Sequence, residues 1–426
     1  MKAVWGRAIV LGLIVVFCVA CGGGGGGDGG GGGGSNPPGV SAPTAVVQPL
    51  PLPGPYAVAC SNIVQVFSRV LPGEDVTSYW EGLPDNGRPR YITDLLESLD
   101  NTLIATVTAP QDSNLYGDFA GQAVKFAVLV CYPTTNNNPR PDYPLYQTDR
   151  VVPHMQTGSD APIFADDLVR YPVVVFSHGY MGSPISSGDY MLALTIGASY
   201  GYVVIAPFHG DLRFSNLKID NLEAAIAVAS NLENFTAMQA LRPLSISAAL
   251  TLVLEHPQWK DHLDATKIGG FGASMGGETM MLLAGAGLTT SYFDIGASWK
   301  QVTHDPRIKA AFGYVPYFGQ PILPAFGRNQ EGLAGISLPF LGISGTADTT
   351  APIYETQIGM SRLTGPRRLV ALSGVTHGFD AASTNDIYTW MLTFLDAEVR
   401  GNPDAILRFS TMGSVAGGGD DSVVLY

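Results

Sequence analysis

The stretch Lys267–Gly277, KIGGFGASMGG, decides the fold. Its first part, Lys267 to Phe271, is short, apolar and strand-like, and the residues after it, Gly277 to Leu283, read as a helix. Between them Gly272-Ala273-Ser274-Met275-Gly276 fits G-x-S-x-G, in which small residues let a strand turn sharply into a helix and leave the serine hydroxyl exposed. A strand feeding a helix is half of the repeating unit of a parallel sheet. The five-residue pattern alone is weak, because Gly197-Ala198-Ser199-Tyr200-Gly201 fits it equally well. Ser199, however, ends a helical segment and leads into a strand, Tyr202 to Ala206, so only Ser274 has the strand-turn-helix setting.

Outward from this unit, β-branched apolar runs alternate with helix-length segments, the rhythm of a sheet covered on both faces. Strands are predicted at Val173 to Ser177, Tyr202 to Ala206, Lys267 to Phe271, Ala310 to Val315, Pro339 to Ile343 and Arg368 to Leu372. Helices are predicted at Asp189 to Ala198, Ser245 to Glu255, Gly277 to Leu283, Glu355 to Met360 and Asp386 to Glu398. The expected architecture is a doubly wound, mostly parallel α/β sheet occupying residues 56–426. Residues Ala57 to Arg170 are less regular, with a helix over Tyr91 to Asp100 and a polar loop over Thr134 to Tyr143. They read as leading antiparallel strands with an insertion at about 64–122, or else as a separate domain. A second extension at 212–242 contains an apolar helical stretch, Leu222 to Ala229, with Phe214, Leu217 and Phe235, and reads as a lid or pocket wall.

A serine hydroxyl is a poor nucleophile at neutral pH; it needs an imidazole to take its proton and a carboxylate to hold that imidazole in one tautomer. Asp348 follows the strand ending at Ile343 and His377 follows the strand ending at Leu372, so both would project from loops at the carboxyl edge of the sheet. The chain order Ser274, Asp348, His377 suits a triad. Asp380 is the rival carboxylate, but its place just before the last helix fits a cap. His154, His256, His262 and His304 fall in loops or helix ends without metal-ligand spacing. Developing charge on an attacked carbonyl needs backbone N–H donors, expected from Met275 and from Tyr180 in the glycine-flanked run Ser177-His178-Gly179-Tyr180-Met181-Gly182. His178 is expected to brace that loop. Tyr314, Tyr317, Phe318, Phe326 and Met181 are candidates for an apolar acyl site.

Taken together, HGYMG, GYVVIAPFHGD, IGGFGASMGG, GISGTAD and SGVTHGF resemble the dienelactone-hydrolase and platelet-activating-factor-acetylhydrolase branch of the α/β-hydrolases, and are similar to bacterial cutinase-like polyester hydrolases. The resemblance covers roughly Val124 to Val399. It implies an α/β-hydrolase fold and a carboxylic ester hydrolase with the triad Ser274, His377 and Asp348, acting through an acyl-enzyme with neither cofactor nor metal. The substrate would be a small-molecule or polymeric ester. Dienelactone hydrolases proper use cysteine as nucleophile, so serine at position 274 argues for ordinary ester chemistry. A serine peptidase, or a catalytically silent envelope binding protein with the same fold, stays open.

The first residues and the composition set the surroundings. Lys2 and Arg7 precede an apolar run, Ala8 to Ala20, with the length of a signal-peptide core rather than a membrane span, so Met1 to Ala20 is expected to direct export. Cys18-Val19-Ala20-Cys21 resembles a bacterial lipoprotein cleavage box, although Cys18 stands where Leu is usual. The expectation is a lipid on Cys21 that holds the chain at the bacterial cell envelope, with secretion as the alternative; membrane contact would come only through that anchor. Gly22 to Gly34 and the Pro-rich Asn36 to Pro55 form a predicted tether over 21–55. Hydrophobic residues make up 46% and charged ones 14% of 426 residues, with a net charge of −13, so a large core is expected and nucleic acid is a poor partner. After removal of Cys18 and acylation of Cys21, Cys60 and Cys131 remain. In an oxidising compartment they are expected to pair, which would set the strands Tyr56 to Ile63 and Val124 to Tyr132 side by side.

Overall fold

The computed structural model describes residues 42–61, 63, 72, 79, 90–98, 103–145, 149–215, 232–291, 298–320 and 324–426. The predicted export segment, Cys21 and the helix Leu222 to Ala229 lie outside the described residues. Strands β1 (Ala45–Val47) and β2 (Ala57–Cys60) are followed by helix α1 (Arg90–Glu97) and strands β3 (Ile104–Thr108), β4 (Ala123–Thr134) and β5 (Tyr171–Ser177). Then come α2 (Gly188–Ser199), β6 (Val203–Pro207), α3 (Leu232–Glu255), β7 (Leu263–Ala273), α4 (Met275–Leu283), β8 (Ile308–Tyr314) and β9 (Phe340–Gly345). The chain closes with α5 (Ile353–Arg362), β10 (Arg367–Leu372), α6 (Thr384–Glu398), α7 (Pro403–Thr411), β11 (Met412–Val415) and β12 (Asp421–Leu425).

The central sheet runs β12-β10-β9-β8-β7-β5-β6-β4-β2, with β3 added to β4. All the strands predicted from β-branched runs are in it, and from β10 to β6 they pair in parallel. The strands at both ends, β12 on one side and β4, β2 and β3 on the other, pair antiparallel. The protein is thus mixed α/β with a mostly parallel sheet. Side chains alternate along each strand, so Val173 and Val175 of β5 join one apolar cluster with α3 and α4, while Val174 and Phe176 join the other with α2 and α6. Both faces are buried, and the crevice between the carboxyl ends of β5 and β7, where the connections leave in opposite directions, is the topological switch point.

Cys60 and Cys131 are disulfide-bonded, with Cα atoms 4.1 Å apart, at opposite positions of the antiparallel β2–β4 pair. Closing a stretch of 71 residues removes unfolded-state entropy worth about 4 kcal/mol.

Two expectations need correction. The last part of the predicted tether, residues 42–55, lies against the folded body: β1 pairs in parallel with β11, the Leu50 N–H donates to Thr389 Oγ1 at 3.0 Å, and the Gly54 N–H donates to Ser199 Oγ at 2.8 Å. The physical reason is that the strand itself, Ala45-Val46-Val47, holds neither Pro nor Gly and is free to pair, while the prolines around it break helix but allow extended chain. In the extension 212–242, read as a lid or pocket wall, residues from Leu232 onward form the first half of the core helix α3 rather than a lid, with Phe235 edge-on to Tyr180 at 5.8 Å, while residues 216–231 lie outside the described ones. This helix, Leu232–Glu255, is apolar and long enough to cross a membrane by composition, but 67% of its most apolar stretch is buried within the protein, as a core helix requires. Of the region about 64–122, the described parts join the main body: α1 packs into one of the two apolar clusters, and β3 pairs with β4.

Candidate active site

Ser274 sits at the turn from β7 into α4 with φ 54° and ψ −121°, a conformation that costs an L-residue roughly 1–3 kcal/mol and persists only where the surroundings enforce it. They do so here. The Ser274 N–H donates to Tyr314 O at 2.9 Å, and its carbonyl accepts from the N–H groups of Gly277 at 2.8 Å and Tyr317 at 3.0 Å. The turn can be this tight because a Cβ on Gly272 would lie 2.0 Å from Gly276 O and one on Gly276 would lie 1.9 Å from Ser177 O. Glycine is therefore a steric necessity at both positions.

The Ser274 hydroxyl lies 2.8 Å from His377 Nε2, and His377 Nδ1 lies 2.8 Å from Asp348 Oδ2. Both partners stand where the sequence places them, on the loops after β9 and β10. The Asp348 side chain is fully buried, and its other oxygen accepts from the N–H groups of Thr350 and Ala351, each at 2.8 Å, so the carboxylate is fixed in one orientation. Such an acceptor assigns the His377 ring proton to Nδ1 and leaves Nε2 to accept from the serine hydroxyl. The His377 loop is braced in turn by Tyr314, whose hydroxyl donates to Gly378 O at 2.7 Å and whose ring stacks on Phe379 at 4.4 Å. Asp380, the rival carboxylate, accepts from Ser383 N at 2.9 Å and Ser383 Oγ at 2.7 Å and steadies the start of α6.

Across the switch point the loop after β5 approaches the serine: a Cβ on Gly179 would lie 3.5 Å from Ser274 Cβ. Its backbone is tied on the inner side. The Gly179 N–H donates to the Tyr190 hydroxyl at 3.0 Å, and the Met181 N–H donates to Asp211 Oδ2 at 2.8 Å. The Arg242 guanidinium donates to His178 O at 2.5 Å and to Gly179 O at 3.3 Å. His178 braces this loop, as expected: its Nε2 accepts the His209 N–H at 3.2 Å and its Nδ1 lies 2.8 Å from Gly179 O. Burial, reinforced by the Arg242 charge, holds both His178 and His209 well below the usual imidazole range, so both rings are neutral. Met275 opens α4, where helix geometry gives the first N–H groups no intrahelical acceptor.

The expected apolar acyl site is only partly assembled from its candidates. Met181 and Tyr317 are partly exposed, whereas Tyr314, Phe318 and Phe326 are buried in the core, Phe318 and Phe326 in mutual ring contact at 6.1 Å. Aromatic residues beside a motif are more often packing than lining. Ser199, the second serine in a G-x-S-x-G pattern, is 1% exposed, donates to Ile196 O and accepts from Gly54, and so has no access to solvent.

Asp211, Arg242, Tyr190 and Glu278 were not among the residues singled out from the sequence. For Asp211 a signal existed, since it closes GYVVIAPFHGD just past the carboxyl end of a strand. No protein-family model matches the chain, and no curated protein matches it.

Proposed function

We propose that the chain is a carboxylic ester hydrolase of the α/β-hydrolase type. The observation that carries this reading is the unbroken hydrogen-bond line from Ser274 Oγ through His377 to a buried Asp348, two contacts of 2.8 Å each, at the carboxyl edge of the sheet. In the reaction, Ser274 Oγ attacks the ester carbonyl carbon as its proton passes to His377 Nε2, and the carbonyl oxygen becomes an oxyanion facing the N–H groups of Met275 and Tyr180. Collapse breaks the bond to the alcohol, which leaves with the proton from His377. Water then repeats the sequence on the acyl-enzyme, releasing the acid and restoring Ser274. Asp348 holds the imidazole in its tautomer and steadies the positive charge it gains. The partly exposed Tyr180, Met181 and Tyr317 beside the serine favour apolar acyl groups.

Ser274→Ala is expected to lower kcat/KM on a p-nitrophenyl ester by roughly four to six orders of magnitude, while Ser199→Ala leaves it within about a factor of three. A fluorophosphonate should label Ser274 alone. Hydrolysis that survives in Ser274→Ala, or a label found elsewhere, would remove the reading.

A further inference from the structure

Arg242 and Asp211 are 1% and 2% exposed, and their ion pair, Arg242 Nε to Asp211 Oδ1, spans 3.5 Å without a good hydrogen bond. Burying two charges costs several kcal/mol each, and such a pair is often no better for stability than apolar residues of the same volume. Its presence here is therefore better explained by what it holds than by what it stabilises.

What it holds is one peptide loop. Arg242 sits on α3 and takes the carbonyls of His178 and Gly179; Asp211, just after β6, takes the N–H of Met181. Met181 has φ 55°, the left-handed region that a side chain disfavours, so the loop would relax without these ties. The Gly179 carbonyl is also met by His178 Nδ1 at 2.8 Å and by the Gly182 N–H at 3.2 Å, which points it inward. In a trans peptide the N–H points opposite the carbonyl. The N–H of Tyr180, which shares that peptide, is thereby turned away from Arg242 and the His178 ring, which hold the carbonyl. A further bridge fixes the frame: His209 lies 2.8 Å from Ser177 Oγ on β5 and 2.9 Å from Ser245 Oγ on α3, and the Ser245 hydroxyl donates to Arg242 O at 2.7 Å.

We infer that the buried Asp211–Arg242 pair is the positioning element of the second oxyanion donor, clamping the Gly179–Tyr180 peptide so that the Tyr180 N–H faces the carbonyl oxygen of a bound ester. The inference rests on the ester-hydrolase reading. Asp211 and Arg242 touch no substrate and act only through the loop.

The test compares wild type, Asp211→Asn and Arg242→Lys, with every rate divided by the number of sites that a fluorophosphonate labels at completion. This removes any loss due to misfolded protein. In both variants kcat per labelled site should fall on the order of 10–100-fold with KM within about threefold, and the affinity of a trifluoromethyl ketone, which mimics the tetrahedral adduct, should fall in step. The pH midpoint of kcat/KM should not move, because the contacts among Ser274, His377 and Asp348 are untouched. Should a lone buried charge prevent folding, the neutral pair Asp211→Asn with Arg242→Gln carries the same expectation. Per-site rates equal to wild type, or a fall in kcat without loss of ketone affinity, would overturn the clamp. An active wild type with indifferent variants rejects the clamp alone, whereas a wild type that hydrolyses no ester rejects the hydrolase reading and the clamp with it.

Discussion

Glu278, one turn into α4 from Ser274, is 1% exposed; it accepts from Gln239 Nε2 at 2.6 Å through one oxygen, while the other has no hydrogen-bond partner. Burial pushes its carboxyl from an ordinary value near 4.5 up to about 8, against the pull of Arg242 and of the Gln239 bond. The consequence for stability has a definite sign. Between these two values the folded chain keeps a proton that the unfolded chain releases, so stability is highest below about 4.5 and falls as pH rises toward 8. Glu278→Gln removes the titration at almost constant shape. Its melting temperature relative to wild type should therefore rise with pH, by a few degrees between pH ~5 and ~8.5. Parallel melting curves across that range would show that Glu278 is ionised in the folded state at neutral pH.

The turn between β7 and α4 shows how much of an element follows from its sequence. Gly276 faces the backbone of β5, and a methyl there would lie 1.9 Å from Ser177 O, an atom that moves only if the strand moves. Gly276→Ala should lower both melting temperature and ester turnover, the latter by at least about 100-fold, since overpacking a rigid contact costs a few kcal/mol and misplaces Ser274. Gly335→Ala, where the nearest atom is 3.7 Å away, is the matched control and should change neither; equal behaviour of the two would refute the steric account. This turn was legible because sterics write it directly into glycine positions. The parallel strands were legible because burial on both faces demands unbroken β-branched runs. Helix α3 was read only from Ser245, since Pro243 looks like a boundary, yet the helix runs through it from Leu232. Strands β11 and β12 are too short for a periodic signal, whereas helix α7 carries a start signal that the reading passed over: Asn402 caps it, accepting from the N–H groups of Asp404 and Ala405, and Pro403 opens its first turn. The clamp was invisible for a different reason: 31 residues separate Asp211 from Arg242, and only the packing of α3 against β5 and β6 brings them together.

Composition misled most where the chain meets the body. Residues 42–55 carry the Pro and Gly content of a linker, yet they run from β11 and α7 past α6 to the end of α2 just before β6. The Gly54 N–H and the Tyr56 N–H reach Ser199, at the C-terminal end of α2; the Tyr200 hydroxyl donates to Pro51 O at 2.5 Å, Arg408 of α7 donates to Gln48 O, and the Ala416 N–H donates to Val47 O at 2.7 Å. These contacts tie the first strand to the last helices and to β11, a closure between parts of the chain more than 300 residues apart. None of them touches the loops that carry Ser274, Asp348 and His377. Removal of residues 42–55 should therefore separate stability from catalysis: the melting temperature should drop by several degrees as β11 and the end of α2 lose their partners, while ester turnover per fluorophosphonate-labelled site stays within about twofold of the full chain. Circular dichroism melts and site-normalised kinetics on the shortened chain measure the two quantities independently. An unchanged melting temperature would return this segment to the tether that its composition describes, and a lost turnover would mean that the N-terminal segment reaches the loops of Ser274, Asp348 and His377 by a route other than these contacts.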